Sequence, residues 1–234
     1  MSDGFRITRL SGVTARLVAY DWPFPRDNAA AIADHWRARR ARSPGMFDGT
    51  VLLGCACAVD CGIARVDLFP ATYSSFIAYR DRGRAEGGVV NAFAAIVPWS
   101  ADGAVLLGAM GAHTANAGQL YFPCGTPDLD DVRGDAVDLA GSAARELAEE
   151  TGLTLPEGAA TDWVLLEGQG QRAFLRPVRF PEAAEALCAR IEAHRGRESE
   201  PELAGIHVAR GAADPEAARM PGFVRAYLAD VFGG

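Results

Sequence analysis

The stretch "ARELAEETGLTL", residues 144 to 155, decides the fold prediction because it joins a helical apolar pattern to three clustered carboxylates. At about 100° per residue, Glu146, Glu149 and Glu150 project from one stripe of a helix. Like charges on neighbouring turns repel, so a solvated helix face usually mixes acids with bases. The cluster is therefore either an acidic surface or a site for a cation.

The helix that carries these acids has recognisable ends. Its apolar pattern starts at about Leu139, Asp138 is a natural N-cap, and Gly152 can end the helix in a left-handed turn. Carboxylate oxygens are the ligands that magnesium and manganese prefer, together with water and substrate phosphate oxygens. A divalent cation would turn the repulsion among the acids into affinity.

Composition narrows the function classes. The chain has 234 residues, of which 49% are hydrophobic, and a net charge of -7. That charge argues against a general nucleic-acid binder, which needs a basic face. We find no apolar run long enough to span a bilayer, so we expect a cytoplasmic protein without a membrane partner. Five cysteines, three of them in "GCACAVDCGI", predict free thiols better than a zinc site or a disulfide framework.

The remaining patterns predict a mixed α/β (α+β) chain. "RGRAEGG" is a glycine-rich boundary, so we divide the chain into an N-terminal α+β extension, residues 1–86, and a second domain, residues 87–234. "DWPFPRD" indicates a break, and "SADG" a hairpin turn between two apolar runs. Helices are predicted in "NAAAIADHWRARRARSP", "TYSSFIAYRDRG", "PEAAEALCARIEAHRG" and "PGFVRAYLADVFGG". The apolar stripe of the last is typical of a core or subunit contact, which leaves a homodimer open.

"RELAEETGL", from Arg145 to Leu153, resembles the second half of the Nudix box, G-x5-E-x7-R-E-U-x-E-E-x-G-U, where U is aliphatic. All seven specified places of that half are filled. Upstream, "LYFPCGTP" is similar to the loop that opens the motif, with Gly125 as its first glycine. The resemblance covers roughly residues 88 to 232 and implies a mixed β-sheet sandwiched between helices.

The first half of the box departs from the pattern. Nineteen residues separate Gly125 from Arg145 where the family spacing allows thirteen, so "PDLDDVRGDAV" contains an insertion. The place of the first glutamate is taken by Val137. Three nearby acids could supply the outer carboxylate of the metal site, and we favour the first of them: Asp138, Asp135 and Asp131.

The resemblance implies a hydrolase that uses Mg²⁺ or Mn²⁺ to cleave a pyrophosphate bond by attack of water on phosphorus. Glu146, Glu149 and Glu150 would hold the metal, and Arg145 would position a glutamate. The general base in this family is a box glutamate or an acid on a later loop, and "GRESEPELAG" offers three such acids, Glu198, Glu200 and Glu202.

The loop "MGAHTANAGQLYFP" should lie at the mouth of the cleft because it joins the hairpin to the box. His113, Thr114 and Asn116 are polar groups that suit hydrogen bonding to substrate, as does the backbone of Gly125. The competing interpretation is a loop that satisfies only its own backbone.

The substrate expected from the resemblance is a nucleoside diphosphate linked to a sugar or another small group. "MFDG" and "TYSSFIAYRDRG" are similar to the arrangement in Nudix enzymes that split UDP-sugars. The alternative is a Nudix-type module that binds a nucleotide for regulation without hydrolysing it. Such modules typically lose one of the paired glutamates, and this chain keeps both.

Overall fold

The computed structural model describes residues 4–83, 88–114 and 116–233. Its helices are α1 (Pro23–Asp27), α2 (Ala29–Arg42), α3 (Tyr73–Asp81), α4 (Leu139–Thr151), α5 (Ala184–Arg195) and α6 (Gly222–Phe232). Its strands are β1 (Arg6–Leu10), β2 (Gly12–Leu17), β3 (Thr50–Asp60), β4 (Ile63–Thr72), β5 (Asn91–Trp99), β6 (Val105–Met110), β7 (Leu120–Tyr121), β8 (Cys124–Gly125), β9 (Val132–Arg133), β10 (Ala136–Val137), β11 (Trp163–Gly168), β12 (Gln171–Arg179) and β13 (Leu203–Ala209).

The larger sheet has the strand order β1-β11-β12-β5-β6-β13, with β7 beside β6 and β8 beside β5. It is mixed: β12 and β5 run parallel, and the other neighbours are antiparallel. Eight consecutive residues of β5, from 92 to 99, are buried, as expected for a central strand covered on both faces. The SADG turn joins β5 to β6, which confirms the predicted hairpin.

Helices cover both faces of this sheet. Ile96 and Phe174 pack on one side with Leu147 of α4 and Leu187 of α5. On the other side, the intervening residues of the same strands, such as Phe93 and Val97 of β5, pack against α6, whose Tyr227 is 1% exposed. A strand turns successive side chains to opposite faces, so one sheet supplies both cores. The predicted mixed sheet between helices is confirmed.

A second sheet has the order β3-β4-β2-β10-β9, in which β2 and β4 run parallel. Its hairpin of β9 and β10 comes from the insertion before α4, and its other strands come from the first third of the chain. The predicted boundary between residues 86 and 87 lies outside the described residues. That division stays a prediction, although both sheets take strands from both sides of it.

Most local predictions agree with the structure, and one was wrong. The "DWPFPRD" stretch forms the short helix α1 rather than a break, because Pro23 stands at its first position, where proline fits the helical backbone. The cysteines are free thiols; in the cluster "GCACAVDCGI", Cys55 and Cys57 are half-buried as expected for packed thiols, whereas Cys61 in the turn after β3 is exposed. In α6, Tyr227 and Leu228 are core residues, whereas Val231 and Phe232 pack against the core while partly exposed.

Candidate active site

Helix α4 positions the acidic residues because both of its ends are fixed. The Asp138 side chain accepts a hydrogen bond from the Gly141 amide at the start of α4. Gly152 ends it with φ of 67°, the left-handed conformation that favours glycine. Leu139 and Leu147 are buried against the large sheet, so the acidic stripe turns toward the loop around β8. These are the ends that the sequence predicts.

Glu150 is the most buried of the three clustered glutamates, with 6% of the residue exposed. Its Oε1 accepts a hydrogen bond from the backbone amide of Cys124 at 3.1 Å. Burial raises the pKa of Glu150 well above its usual value, and the neighbouring carboxylates of Glu202 and Glu146 raise it further. A buried carboxylate among other carboxylates is costly to ionise unless a cation is close.

Glu146 lies against the Gly125 backbone. A Cβ placed on Gly125 would come within 2.6 Å of the Glu146 carboxyl group, so only glycine leaves room for it. Burial raises the pKa of Glu146 to about 7, and Glu149 and Glu202 add to the rise while Arg145 opposes it. Gly125 therefore has a packing role: the absence of a side chain leaves space for the Glu146 carboxyl group.

Arg145 binds three acids. Its guanidinium donates to Glu146 at 3.0 Å, to Glu149 at 3.5 Å and to Asp131 at 3.0 Å. The Glu149 side chain is 60% exposed, so its ion pair is the one most open to solvent. The resemblance implies that Arg145 orients a glutamate, and the structure places it beside two.

Asp131, rather than Asp138, lies beside Arg145. Asp131 is 4% exposed and also accepts a hydrogen bond from the Ser142 hydroxyl at 3.0 Å. Asp138 is used as the helix cap, and Asp135 contributes a backbone carbonyl to the amide of Leu17. Among the acids of the insertion, Asp131 is thus the one held next to the box arginine.

The carboxylates suit a divalent cation by their chemistry, but their side chains are not gathered around one point. Within residues 4–83, 88–114 and 116–233, no group of three His, Cys, Asp or Glu residues is arranged to hold a metal ion. Glu146 and Glu149 are instead turned to Arg145. A cation would have to draw these two carboxylates away from the guanidinium, a change of side-chain rotamers on a fixed helix.

The loop after α5 brings one of the predicted acids to the site. Glu202 lines a cavity of about 140 Å³ together with Glu150. Glu202 is exposed as a whole residue, but the surrounding protein partly removes water from its carboxylate. This desolvation raises the pKa of Glu202, and the nearby His113 opposes the rise. Glu200 is exposed and outside the cavity lining, and Glu198 pairs with His194 at 3.4 Å.

The predicted substrate residues separate in the structure. Asn116 and Gly125 line the same cavity as the acids. His113 lies close enough to affect Glu202 but does not line the cavity. Thr114 donates to the Gly111 carbonyl at 2.8 Å, which fits the competing interpretation of a loop that satisfies its own backbone.

The cavity also contains polar residues that were not predicted from the sequence, among them Arg80, Asn91 and Gln171. Arg80 comes from the end of α3, and Asn91 and Gln171 open the parallel strands β5 and β12, where they are register partners. A polar residue directly before a fully buried strand is a signal that could have indicated Asn91. Nothing near Arg80 in the sequence marks it, because its place depends on the packing of α3.

A larger cavity, of about 1010 Å³, lies elsewhere and is lined by Trp99, Trp163 and Arg179 among others. None of the acids predicted for the site lines it. The candidate site is therefore the smaller cavity, which is lined by Glu150 and Glu202, two carboxyl groups with raised pKa.

No family model and no curated protein matches this sequence. Among solved structures, the MutT protein from Methanosarcina mazei Go1 is 17% identical with a TM-score of 0.38, covering 60% of this chain and 91% of that chain. The Nudix hydrolase RenU from M. smegmatis is 15% identical with a TM-score of 0.34, covering 58% of this chain and 79% of that chain. At these scores the likeness does not identify a family, so the function has to be inferred from the site.

Among the residues that the structure describes, no helix has the length and apolar character needed to span a membrane.

Proposed function

We propose that this protein is a divalent-cation-dependent hydrolase that cleaves the pyrophosphate bond of a nucleoside diphosphate linked to another group. The observation that supports this most is the proximity of Glu146, Glu150 and Glu202: Glu202 raises the pKa of both other carboxyl groups, and Glu146 raises that of Glu150. A protein gains nothing in stability from like charges held together and partly buried. The arrangement is explained if the site exists to bind a cation.

In this proposal Glu146, Glu149 and Glu150 hold Mg²⁺ or Mn²⁺. When bound, the cation neutralises the diphosphate and makes an attached water more acidic. Arg145 keeps Glu146 and Glu149 in reach of each other before the cation arrives, because both accept from the same guanidinium. Asp131 fixes that guanidinium from its other side.

Glu202 is our candidate for the general base. It lies in the same cavity as Glu150, and burial raises its pKa. A carboxylate whose pKa is moved toward neutral pH accepts a proton from water more readily than an ordinary one. In this proposal Asn116 and the Gly125 backbone would hydrogen-bond the substrate beside it, since both residues line the cavity.

The test is hydrolysis of a panel of diphosphates, including nucleotide sugars, in Mg²⁺ or Mn²⁺, with released phosphate measured after phosphatase treatment. Glu149→Gln should lower turnover about 100-fold or more while leaving the fold intact, because one ligand loses its charge. Glu185→Gln is the matched control, since Glu185 is exposed on α5 and outside the cavity. A Glu149→Gln variant as fast as the parent would show that the site is wrongly assigned.

The second candidate is a nucleotide-binding module without turnover. Both paired glutamates are present, which favours the enzyme, but Arg145 engages Glu149 and could keep the site inactive. Mn²⁺-dependent binding of a nucleotide without phosphate release would support the module. If no Mn²⁺ binds at all, the acidic stripe is only a solvated surface.

A further inference from the structure

The cavity that holds Glu150 and Glu202 also contains one basic residue from a distant part of the chain. Arg80 lies in the last turn of α3, and its side chain is 27% exposed. Among the described residues that line the cavity, it is the only one with a positive charge. It acts on Tyr121, whose pKa burial raises to about 12 and Arg80 lowers, so the guanidinium lies on the Tyr121 side.

The charge of Arg80 is only partly balanced by its neighbours. Its Nε donates to Asp81 at 3.0 Å, but the same carboxylate lies 3.7 Å from the Arg39 guanidinium and 3.1 Å from His35. One carboxylate shared by two guanidinium groups, which stay protonated at any ordinary pH, leaves an excess of one positive charge. Arg80 is the member of this cluster that lines the cavity.

The other polar groups of the cavity suit oxygen-rich ligands. Asn91 and Gln171 stand opposite each other at the start of β5 and β12. The Thr126 hydroxyl donates to Asn91 Oδ1 at 3.3 Å, so the amide NH₂ of Asn91 is the group left to donate to a ligand. The cavity thus joins an acidic side, which suits a cation, to a side with cationic and amide donors.

Its size restricts what can enter. The volume of about 140 Å³ is below the roughly 300–1,000 Å³ that is usual for a pocket enclosing a whole small-molecule ligand. The cavity therefore holds one compact part of a substrate rather than an entire nucleotide. A phosphate or diphosphate group is compact, anionic and rich in acceptor oxygens.

We propose that Arg80 binds a phosphate oxygen of the substrate, so that a diphosphate is held between Arg80 and the cation carried by the acids of α4. This rests on the proposed function in that the diphosphate is taken as the group that is cleaved. The first third of the chain then contributes a specificity-determining residue. Arg80 would select diphosphates from other cation-binding ligands.

The experiment uses inorganic pyrophosphate as the probe and calorimetry on the full chain, in Mn²⁺ and separately in EDTA. Arg80→Gln should weaken pyrophosphate binding about 10- to 150-fold, the range expected for loss of a hydrogen bond from a charged group. Mn²⁺ affinity in the absence of pyrophosphate should stay within about twofold of the parent, because the acids are unchanged. Arg82→Gln is the matched control: Arg82 follows α3 and donates to Asn28 rather than lining the cavity.

Arg80→Lys distinguishes binding from a merely structural role. Lysine keeps the charge but lacks the guanidinium fork, so it should bind pyrophosphate with an affinity between those of the parent and Arg80→Gln. It also provides the decisive measurement if Arg80→Gln does not fold. Pyrophosphate affinity equal to the parent in a folded Arg80 variant, or an equal loss in Arg82→Gln, would overturn the proposal.

Failure of the proposed function would look different. A parent protein that binds no Mn²⁺ refutes the cation-dependent hydrolase. Pyrophosphate binding in EDTA that still falls in Arg80→Gln would support the anion contact by itself. Pyrophosphate binding that depends on Mn²⁺ but not on Arg80 would retain the hydrolase and remove Arg80 from its site.

Discussion

Replacing Glu146 by glutamine should stabilise the cation-free protein at pH 8 and change its stability little at pH 5. The folded protein raises the pKa of Glu146 from 4.5 to about 7, so the folded state holds this proton more tightly than the unfolded chain does. The contribution of Glu146 to the stability of the parent is therefore greatest below about pH 4.5 and falls as the pH rises toward 7, above which the loss is constant. Glutamine removes the titration.

The pKa difference sets the magnitude. At 1.36 kcal/mol per pH unit, the rise corresponds to about 3 kcal/mol at pH 8 and less than about 1 kcal/mol at pH 5. The attraction of Arg145 is already contained in this figure, since it opposes the rise. For a chain of this size, about 3 kcal/mol corresponds to roughly 6–12 °C in Tm.

The assay is thermal and urea denaturation in EDTA across pH 5 to 8, with Glu185→Gln as the exposed control. Mn²⁺ should then stabilise the parent more than Glu146→Gln, because binding to the folded state adds stability by mass action. A Glu146→Gln variant no more stable than the parent at pH 8, or a stability difference that does not depend on pH, would refute the inference that burial raises the pKa of Glu146.

Two further predictions concern glycines at the site. Gly125→Ala should lower Mn²⁺ affinity about 10-fold or more with little effect on Tm, because the added Cβ would displace the Glu146 carboxyl group. Manganese titration measures the affinity, and thermal denaturation measures the Tm. An unchanged Mn²⁺ affinity would contradict the contact between Gly125 and Glu146. Gly152→Ala should destabilise the protein by more than about 1–2 kcal/mol, since a left-handed φ of 67° and a Cβ 2.6 Å from the His194 ring act together. Gly134→Ala, with φ of 69° and open space around its Cβ, isolates the backbone part in the same urea denaturation.

The part of the site on α4 could be predicted because its signals are local. Asp138 and Gly152 mark the helix ends, and the spacing of the three glutamates fixes their common stripe without knowledge of the rest of the chain. The continuous apolar run of β5 and the hairpin turn that follows it are local in the same sense. These features depend on neighbouring residues, so a single sequence is enough to predict them.

The rest of the site depends on long-range packing. Arg80 reaches the cavity only because α3 packs beside the second sheet, and nothing in "TYSSFIAYRDRG" distinguishes it from a surface arginine. Asp131 meets Arg145 because the insertion folds back as the hairpin of β9 and β10. Among the three acids proposed for the outer position, spacing along the chain favoured Asp138, but that side chain was already engaged at the helix start.

The interleaving of the two sheets determines how the chain could be shortened. A fragment beginning at residue 88 would lose β1, leaving β11 with an unpaired row of amides and carbonyls, and would leave the β9–β10 hairpin without β2. Edge strands with unpaired amides and carbonyls promote self-association. A fragment that keeps Glu146, Glu149 and Glu150 but begins at residue 88 is therefore expected to aggregate, and it would lack Arg80.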